Sequence, residues 1–312
     1  MPQSNPLHEL MEGAQRALGY AEHDRSNGEV FRMPMPAVAS GGIDLTRAFA
    51  MRDGFESYYR LNLVEAGKTN DLNPEALMRE NSRVVAAGAR LIVAPEKPAP
   101  QFGAESGANH PGFYTNPSKV RHVEPAAFGA SVPDGQEAPL SPIPFADADF
   151  AWGDAPNFAF RSKITRAQRR DVAGDQLSDD FMIAIALGLG ELMDRLFLAA
   201  VLAATPAAFT IGGLAARHAK LDEARALVGT AGASASWRGD GAFVAAGGIP
   251  AELTAATDKT VVGLFNRAAV AVRPELSVHV KRLNVSGDQE LIVFGNLQPV
   301  IPNPSTDFWT AA

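Results

Sequence analysis

The chain has 312 residues and no cysteine, with 46% hydrophobic and 20% charged residues, the balance of a soluble globular protein with room for a sizeable core. The missing cysteines exclude disulfides, thiolate nucleophiles and zinc-thiolate sites together. A net charge of −7 and a pI near 5.4 set the chain apart from sequence-specific DNA binders, which present a basic face.

The length allows one large domain or two to three smaller ones. The first residues, with Pro2, Asn5, His8 and Glu9, lack the basic start and apolar run of a signal peptide. Leu7, Leu10, Met11, Ala14 and Leu18 follow a helical period that stops at Gly19. Pro34, Pro36, Gly41 and Gly42 then predict an extended linker. Asp44 reads as the N-cap of a helix through Phe49, Phe55, Tyr58, Tyr59, Leu61 and Leu63. Asn73-Pro74 starts another helix through Leu77, Val84 and Val85, ended by Gly88. Leu91, Ile92 and Val93 predict a short strand.

From Pro95 to Pro144 proline, glycine, serine and alanine dominate and no helical period survives. Lys119–Val123 and Phe128–Val132 alternate weakly, like two strands of a long hairpin. So long a loop is improbable inside a compact domain unless it works outside it. Phe145, Phe150, Trp152, Phe158, Phe160 and Ile164 mark strands and turns. A helix is expected from about 179 to 204, with Ser178 as N-cap and Asp179 and Asp180 at the positive end of its dipole. It would be roughly 35–40 Å long. Apolar residues go nearly all the way round it, so most faces must be covered. Ala184, Ala186, Gly188 and Gly190 keep its waist narrow. Glu191, Asp194 and Arg195 interrupt the apolar run and argue against a membrane span.

Pro206 closes that helix. A short helix is expected over Ala216, Leu221, Ala224, Leu227 and Val228, then loop over residues 229 to 248. The last sixty residues predict strands: Val261–Val272, Ser277–Val285, Leu291–Phe294 and Leu297–Ile301, with a turn at Ser286-Gly287-Asp288.

Catalytic patterns are missing. The chain has no GxSxG elbow, no phosphate-binding Walker loop and no HExxH. The histidines at 8, 23, 110, 122, 218 and 279 are dispersed, so neither a metal nor a cofactor is expected. Asp147, Asp149 and Asp154 match no calcium loop and read as solvated turn charges. Lys163, Arg166, Arg169 and Arg170 form a basic contact patch. It could touch nucleic acid, though a salt-bridged or subunit-contact face is the preferred reading. On physical grounds alone this is a soluble α+β protein with a long projecting loop, a long buried helix and a C-terminal sheet.

The order of elements over residues 113 to 310 resembles the major capsid proteins of tailed bacteriophages of the Hong Kong 97 type. Val123-Glu124-Pro125-Ala126-Ala127-Phe128-Gly129 and Asp134-Gly135-Gln136-Glu137-Ala138-Pro139-Leu140-Ser141 resemble the family's extended loop with its glutamate-bearing turn. Asp179–Ala204 resembles its spine helix. Gly248-Ile249-Pro250, Val262–Ala268 and the strands from Ser277 to Phe308 resemble its later strand starts and closing strands. The step Ala204-Thr205-Pro206 after the helix, in place of an acidic residue and Asp-Gly, departs from the pattern, and the first 110 residues match poorly.

The resemblance implies an N-terminal arm over 1–112, an extended β-hairpin loop over 113–150 and a peripheral domain over 151–205 with the spine helix. It further implies an axial domain over 206–275 and return strands of the peripheral domain over 276–312. It implies a structural protein, not an enzyme. Hexamers and pentamers would form an icosahedral shell around double-stranded DNA held without sequence specificity. Portal and decoration proteins are further implied partners, and the place is the virion, assembled in the bacterial host cytoplasm with no membrane contact. Phe128, Val132, Glu137 and Ile143 would make the intersubunit contact. Phe181, Ile185, Leu189, Leu192 and Leu196 would pack the spine helix. The rival readings are an encapsulin-like compartment shell and a cytoplasmic enzyme with a long lid.

Overall fold

The computed structural model describes residues 5–16, 19–24, 30–35, 38–50, 71–95, 119–129, 131–152, 156–171, 174–232, 234–284 and 286–311. The chain opens on α1 (Pro6–Arg16), the hairpin β1 (Gly19–Asp24) and β2 (Val30–Met35), and β3 (Val38–Asp44). The short β4 (Phe49–Ala50) and β5 (Asp71–Leu72) pair with each other. Then come α2 (Pro74–Asn81), α3 (Arg83–Ala86), β6 (Arg90–Val93), β7 (Lys119–Val123), β8 (Phe145–Asp149) and β9 (Asn157–Ile164). Helices α4 (Arg166–Asp171), α5 (Gly174–Ala203) and α6 (Ile211–Ala216) follow. The remainder is β: β10 (Arg225–Val228), β11 (Ser236–Trp237), β12 (Phe243–Ala245), β13 (Ile249–Leu253), β14 (Thr260–Gly263), β15 (Ala269–Val272), β16 (Glu275–Arg282), β17 (Gln289–Val300) and β18 (Phe308–Ala311).

Two six-stranded sheets carry the body. The first has the order β3-β16-β17-β15-β6, with β9 also paired to β17. The second has the order β11-β12-β13-β10-β14-β18. The long helix α5 covers one face of the first sheet. Met182, Ile185, Ala186, Leu189, Met193 and Phe197 from the helix meet Leu276, Val278, Val280, Leu291 and Val293 from β16 and β17 in one core. The inward residues of β16, Leu276, Val278 and Val280, stand two apart, as a strand buried on one face requires.

Three phenylalanines join the layers. Phe197 of α5 stacks on Phe265 at 5.7 Å, and both meet Phe308 of β18 edge-on at 5.6 and 5.3 Å. Phe265 lies in the turn between β14 and β15, so the trio sits where the chain passes from one sheet to the other. The run Val261–Val272, expected as one strand, is therefore two strands in different sheets. Gly263 permits the crossing, because a Cβ there would run into the Phe308 ring.

α5 starts one turn earlier than expected. Ser178 and Asp179 lie inside it and are buried, and the Asn5 side chain donates to Asp179 Oδ1 at 2.8 Å. The narrow waist is used at Gly190, where a Cβ would stand 3.1 Å from the Met78 carbonyl oxygen. There α2 crosses α5, and Asn81 Nδ2 donates to the Leu187 carbonyl at 2.8 Å. At Gly188 the surroundings are open. Asp194, read in the sequence only as an interruption, is buried and accepts from Ser82 Oγ at 2.6 Å and from the N–H groups of Arg83 and Val84 at 2.9 and 3.0 Å. It caps α3 from outside. Burial raises its pKa and these hydrogen bonds oppose the rise.

The N-terminal third departs from expectation in several places. Pro34 lies in β2 and Gly41 and Gly42 in β3, where a linker was expected, while Pro36 lies outside the described residues; β3 pairs antiparallel with β16. The expected helix from Asp44 does not form at its start. Asp44 ends β3 and its side chain takes the Thr46 N–H at 3.0 Å, while Phe49 enters β4; Phe55 to Leu63 lie outside the described residues. Asn73 caps α2 as expected, accepting from the Ala76 N–H at 3.2 Å. β6 forms as expected and pairs parallel with β15. Within residues 1–112, α1, β3, α2, α3 and β6 pack into the body. α1 packs on β3, β16 and α5, and the Gln289 side chain donates to the Met11 carbonyl at 2.8 Å. Their apolar faces (Leu7, Met11, Leu77 and Val84) join the main core.

Further on, the helix expected over 216–228 does not form: α6 ends at Ala216, turns follow, and residues 225–228 are the strand β10. Ala226, Leu227 and Val228 are all buried, and a strand central to its sheet shows the same continuous apolar run as a helix segment. The region 229–248 holds β11 and β12 where loop was expected. Leu291–Phe294 and Leu297–Ile301 merge into the single long β17. Among the described residues no helix is long and apolar enough to cross a membrane.

Candidate assembly interface

β7 and β8 form an antiparallel hairpin whose register sets Arg121 opposite Asp147 and Val123 opposite Phe145. Over Phe128–Val132, expected as the second strand, the described residues have no regular structure. Its place is taken by β8, because the alternation of Val120 and His122 matches that of Ala146 and Ala148. Arg121 donates to both oxygens of Asp147, at 2.7 and 2.8 Å, and its guanidinium lies 5.0 Å from the Phe145 ring centre. The hydrogen bond from Arg121 holds the Asp147 pKa below its usual range. Lys119 Nζ approaches Asp149 at 3.5 Å. Asp147 and Asp149 are thus partners in a cross-strand charge ladder. Among the described residues no group of side chains suits a metal ion.

One side of the hairpin root rests on the body. Val120 and Ala148 join Phe150 and Trp152 over Ala269, Ala271 and Val300. The root is also tied electrostatically. Glu124 Oε1 accepts from Arg217 Nη2 at 2.7 Å and from Asn303 Nδ2 at 3.0 Å. Arg217 Nε donates to Asp307 Oδ1 at 2.8 Å, and Arg267 Nη1 reaches the same oxygen at 3.1 Å. Asp307 is 3% exposed. For Arg217, burial works against the charge, but the hydrogen bonds to Asp307 and Glu124 outweigh it and raise the pKa. None of Glu124, Arg217, Arg267 and Asp307 stands out in the sequence, since they come from four separated segments and only the fold assembles them.

Beyond this root, residues 124 to 144 project. Phe128 is 97% exposed, Val132 40%, Leu140 102% and Ile143 77%; Glu137 is exposed too. Gly135, at φ +85°, makes the turn of the tip, with the Gln136 N–H donating to the Pro133 carbonyl at 3.1 Å. Large apolar side chains are thus held out on one projecting segment, away from the core.

A second surface has complementary chemistry. Of the residues expected to pack the spine helix, Ile185 and Leu189 are buried, while Phe181, Leu192 and Leu196 are half-buried along its flank. Ala184, Gly188, Glu191, Arg195 and Ala199 form an open stripe. Between that stripe and β9 runs a mostly apolar groove of about 360 Å³, lined by Phe158, Phe160, Ala184, Gly188, Leu192 and Leu276 among others. The basic residues Lys163, Arg166, Arg169 and Arg170 gather at the far end of β9 and on α4.

Glu124 gives a pH prediction. The hydrogen bond from Arg217, opposed by burial, lowers its pKa below the ordinary 4.5. A carboxylate depressed on folding contributes stability above its unfolded pKa and loses it as pH falls through the folded one. The difference in amide-exchange protection at the hairpin root between the native chain and Glu124→Gln is therefore expected at neutral pH. It should begin to shrink as pH falls below the ordinary glutamate pKa and vanish once pH is below the lowered one. A difference that persists in acid would show that the ion pair is not what holds the root.

No family model matches the chain, and no curated protein matches it. In overall structure it is similar to the capsid proteins of phages and of related particles. One is the capsid of an empty GTA particle, at 12% identity and a TM-score of 0.42, over 82% of this chain and 98% of that one. Another is from Microbacterium phage Oxtober96, at 12% identity and a TM-score of 0.42, over 81% and 97%. A third is the virus-like particle from Pyrococcus furiosus, at 12% identity and a TM-score of 0.40, over 77% and 98%.

Proposed function

We propose that the chain is a major capsid protein of a tailed phage, whose work is assembly and not catalysis. The observation that carries this reading is the projecting segment 124–144. Its root is fixed by Glu124, while Phe128, Leu140 and Ile143 stand in solvent. A subunit that holds apolar side chains away from its own core presents them to a neighbour. In this reading they cross onto an adjacent copy, where the groove between α5 and β9 offers apolar walls. Hexamers and pentamers of such subunits close into an icosahedral shell. Many modest contacts then add up to a stable particle. Residues 119–149 act as the extended loop, the first sheet with α5 as a peripheral domain, and the second sheet as an axial domain. The shell holds double-stranded DNA, with portal and decoration proteins as further partners, and its place is the virion.

Analytical sedimentation and negative-stain microscopy of the expressed full chain test the proposal. Large closed shells are the expected result. A stable monomer of 33 kDa at high concentration would refute it and favour a solitary enzyme. Shells isolated from the phage host that hold a protein cargo and no nucleic acid would favour a compartment shell.

A further inference from the structure

One end of the first sheet collects cations from four separate segments. Lys163 comes from β9, Arg166, Arg169 and Arg170 from α4, Arg282 from the end of β16, and Arg16 from the end of α1. The turn after β16 lies in their midst. Lys163 Nζ stands 3.6 Å from Asp288 Oδ2, and the Arg166 N–H donates to Asp288 Oδ1 at 3.0 Å. Arg282 Nη1 donates to the Gln15 carbonyl at 3.2 Å. The side-chain oxygen of the same Gln15 accepts from Arg169 Nε at 2.8 Å. Arg16, its neighbour in sequence, is 79% exposed and bonds to Glu12 at 2.6 Å.

Asp288 pairs with Lys163 and acts on the charge of Arg169, and the like charges around it are felt. Arg169 has its pKa lowered by burial first and then by repulsion from Arg282 and Arg166. Gathering like charges costs folding energy, and nothing in the core requires it at this exposed end. Five of the six cations are arginines, whose planar forks match phosphate oxygens in pairs. They sit on a six-residue helix and at the ends of β9, β16 and α1, so no single long helix carries them into a groove to read base edges.

We infer that this end of the subunit is a phosphate-binding surface that holds the backbone of a nucleic-acid duplex without reading its sequence. The inference deepens the shell reading, on which it rests for its setting, by assigning the face that meets the packaged DNA. An acidic face of a second copy is the other partner that charge alone would allow. The arginine content favours phosphate.

Fluorescence anisotropy of a short labelled DNA duplex with the full-length chain, over a series of salt concentrations, tests it. The logarithm of affinity should fall linearly with the logarithm of salt, with a slope of about −4 for the native chain. Arg166→Gln with Arg170→Gln should reduce the slope by about two and weaken binding roughly 30-fold at physiological salt. Both side chains are exposed, so the variant should melt with the native chain. No duplex binding by the native chain, or binding whose affinity and slope the double variant leaves unchanged, would overturn the inference. So would loss of assembly in the variant with duplex binding intact, which would make the patch a subunit contact. Sedimentation of the same samples reads assembly separately. Shells without patch-dependent binding sink this inference alone, and patch-dependent binding by a chain that never assembles sinks the shell reading alone.

Discussion

Replacing Phe128, Leu140 and Ile143 together by serine is expected to leave the melting transition of the subunit unchanged and to remove particles from its sedimentation profile. The first half follows from exposure. Side chains this open bury nothing in the isolated chain, and surface substitutions of that kind stay within about ±0.5 kcal/mol. The second half follows from what they would bury on a neighbour. Full burial of such a side chain contributes about 1.5–3 kcal/mol, so three of them supply several kcal/mol at every loop contact. In the proposed ring each copy would both give and receive a loop, so the loss would repeat around the particle. Circular dichroism melting and sedimentation velocity on the same preparation separate the two halves. Intact shells from the triple variant would mean that the segment is not the assembly contact. A lowered melting point would mean that it folds back on its own body.

Asp307→Ala should have the largest effect on the subunit itself. The buried carboxylate takes hydrogen bonds from Arg217 and Arg267, and its backbone carbonyl accepts from the Leu264 N–H at 3.0 Å. Removing one partner from a buried ion pair leaves charge uncompensated and costs about 3–5 kcal/mol. Both guanidiniums keep some access to water, so the lower end of that range is expected, about 3 kcal/mol in urea unfolding. Asp307→Asn, which keeps an acceptor but not the charge, should cost less. The effect should also travel. Arg217 is the shared partner of Asp307 and Glu124, so the hairpin root should gain amide exchange in Asp307→Ala although residue 307 is far from it in sequence. An unfolding midpoint equal to that of the native chain would show that the network is dispensable.

What could be read from the sequence follows from how local each signal is. The start of α2, with Asn73 and Pro74, and most of α5 carry their instructions within one or two turns and were legible, whereas the break at Ser82 that divides the expected helix into α2 and α3 was not. Strand existence was legible in the C-terminal sixty residues, but membership of a sheet was not. Val261–Val272 is one apolar run whose division between two sheets is decided by Gly263 and Phe308, forty-five residues apart. β10 was misread because strands buried on both faces carry no alternation. β3 was misread because Gly41 and Gly42, signs of a linker, here allow close approach, Gly41 to Leu10 and Gly42 to Glu275. For the interface, the long loop and the exposure of Phe128, Val132 and Ile143 were expected and Leu140 was not. The ties at its base and the recruitment of Arg282 and Arg16 into the basic cluster depend on contacts between distant segments and left no local trace.

The stacked ring trio of Phe197, Phe265 and Phe308 has a mechanical corollary. The helix and the passage between the two sheets are tied together at one aromatic node. In the proposed shell, five-membered and six-membered rings of the same molecule would differ in dihedral tilt, and a body tied in this way would pass that difference on to the contacts made by the projecting pair of strands.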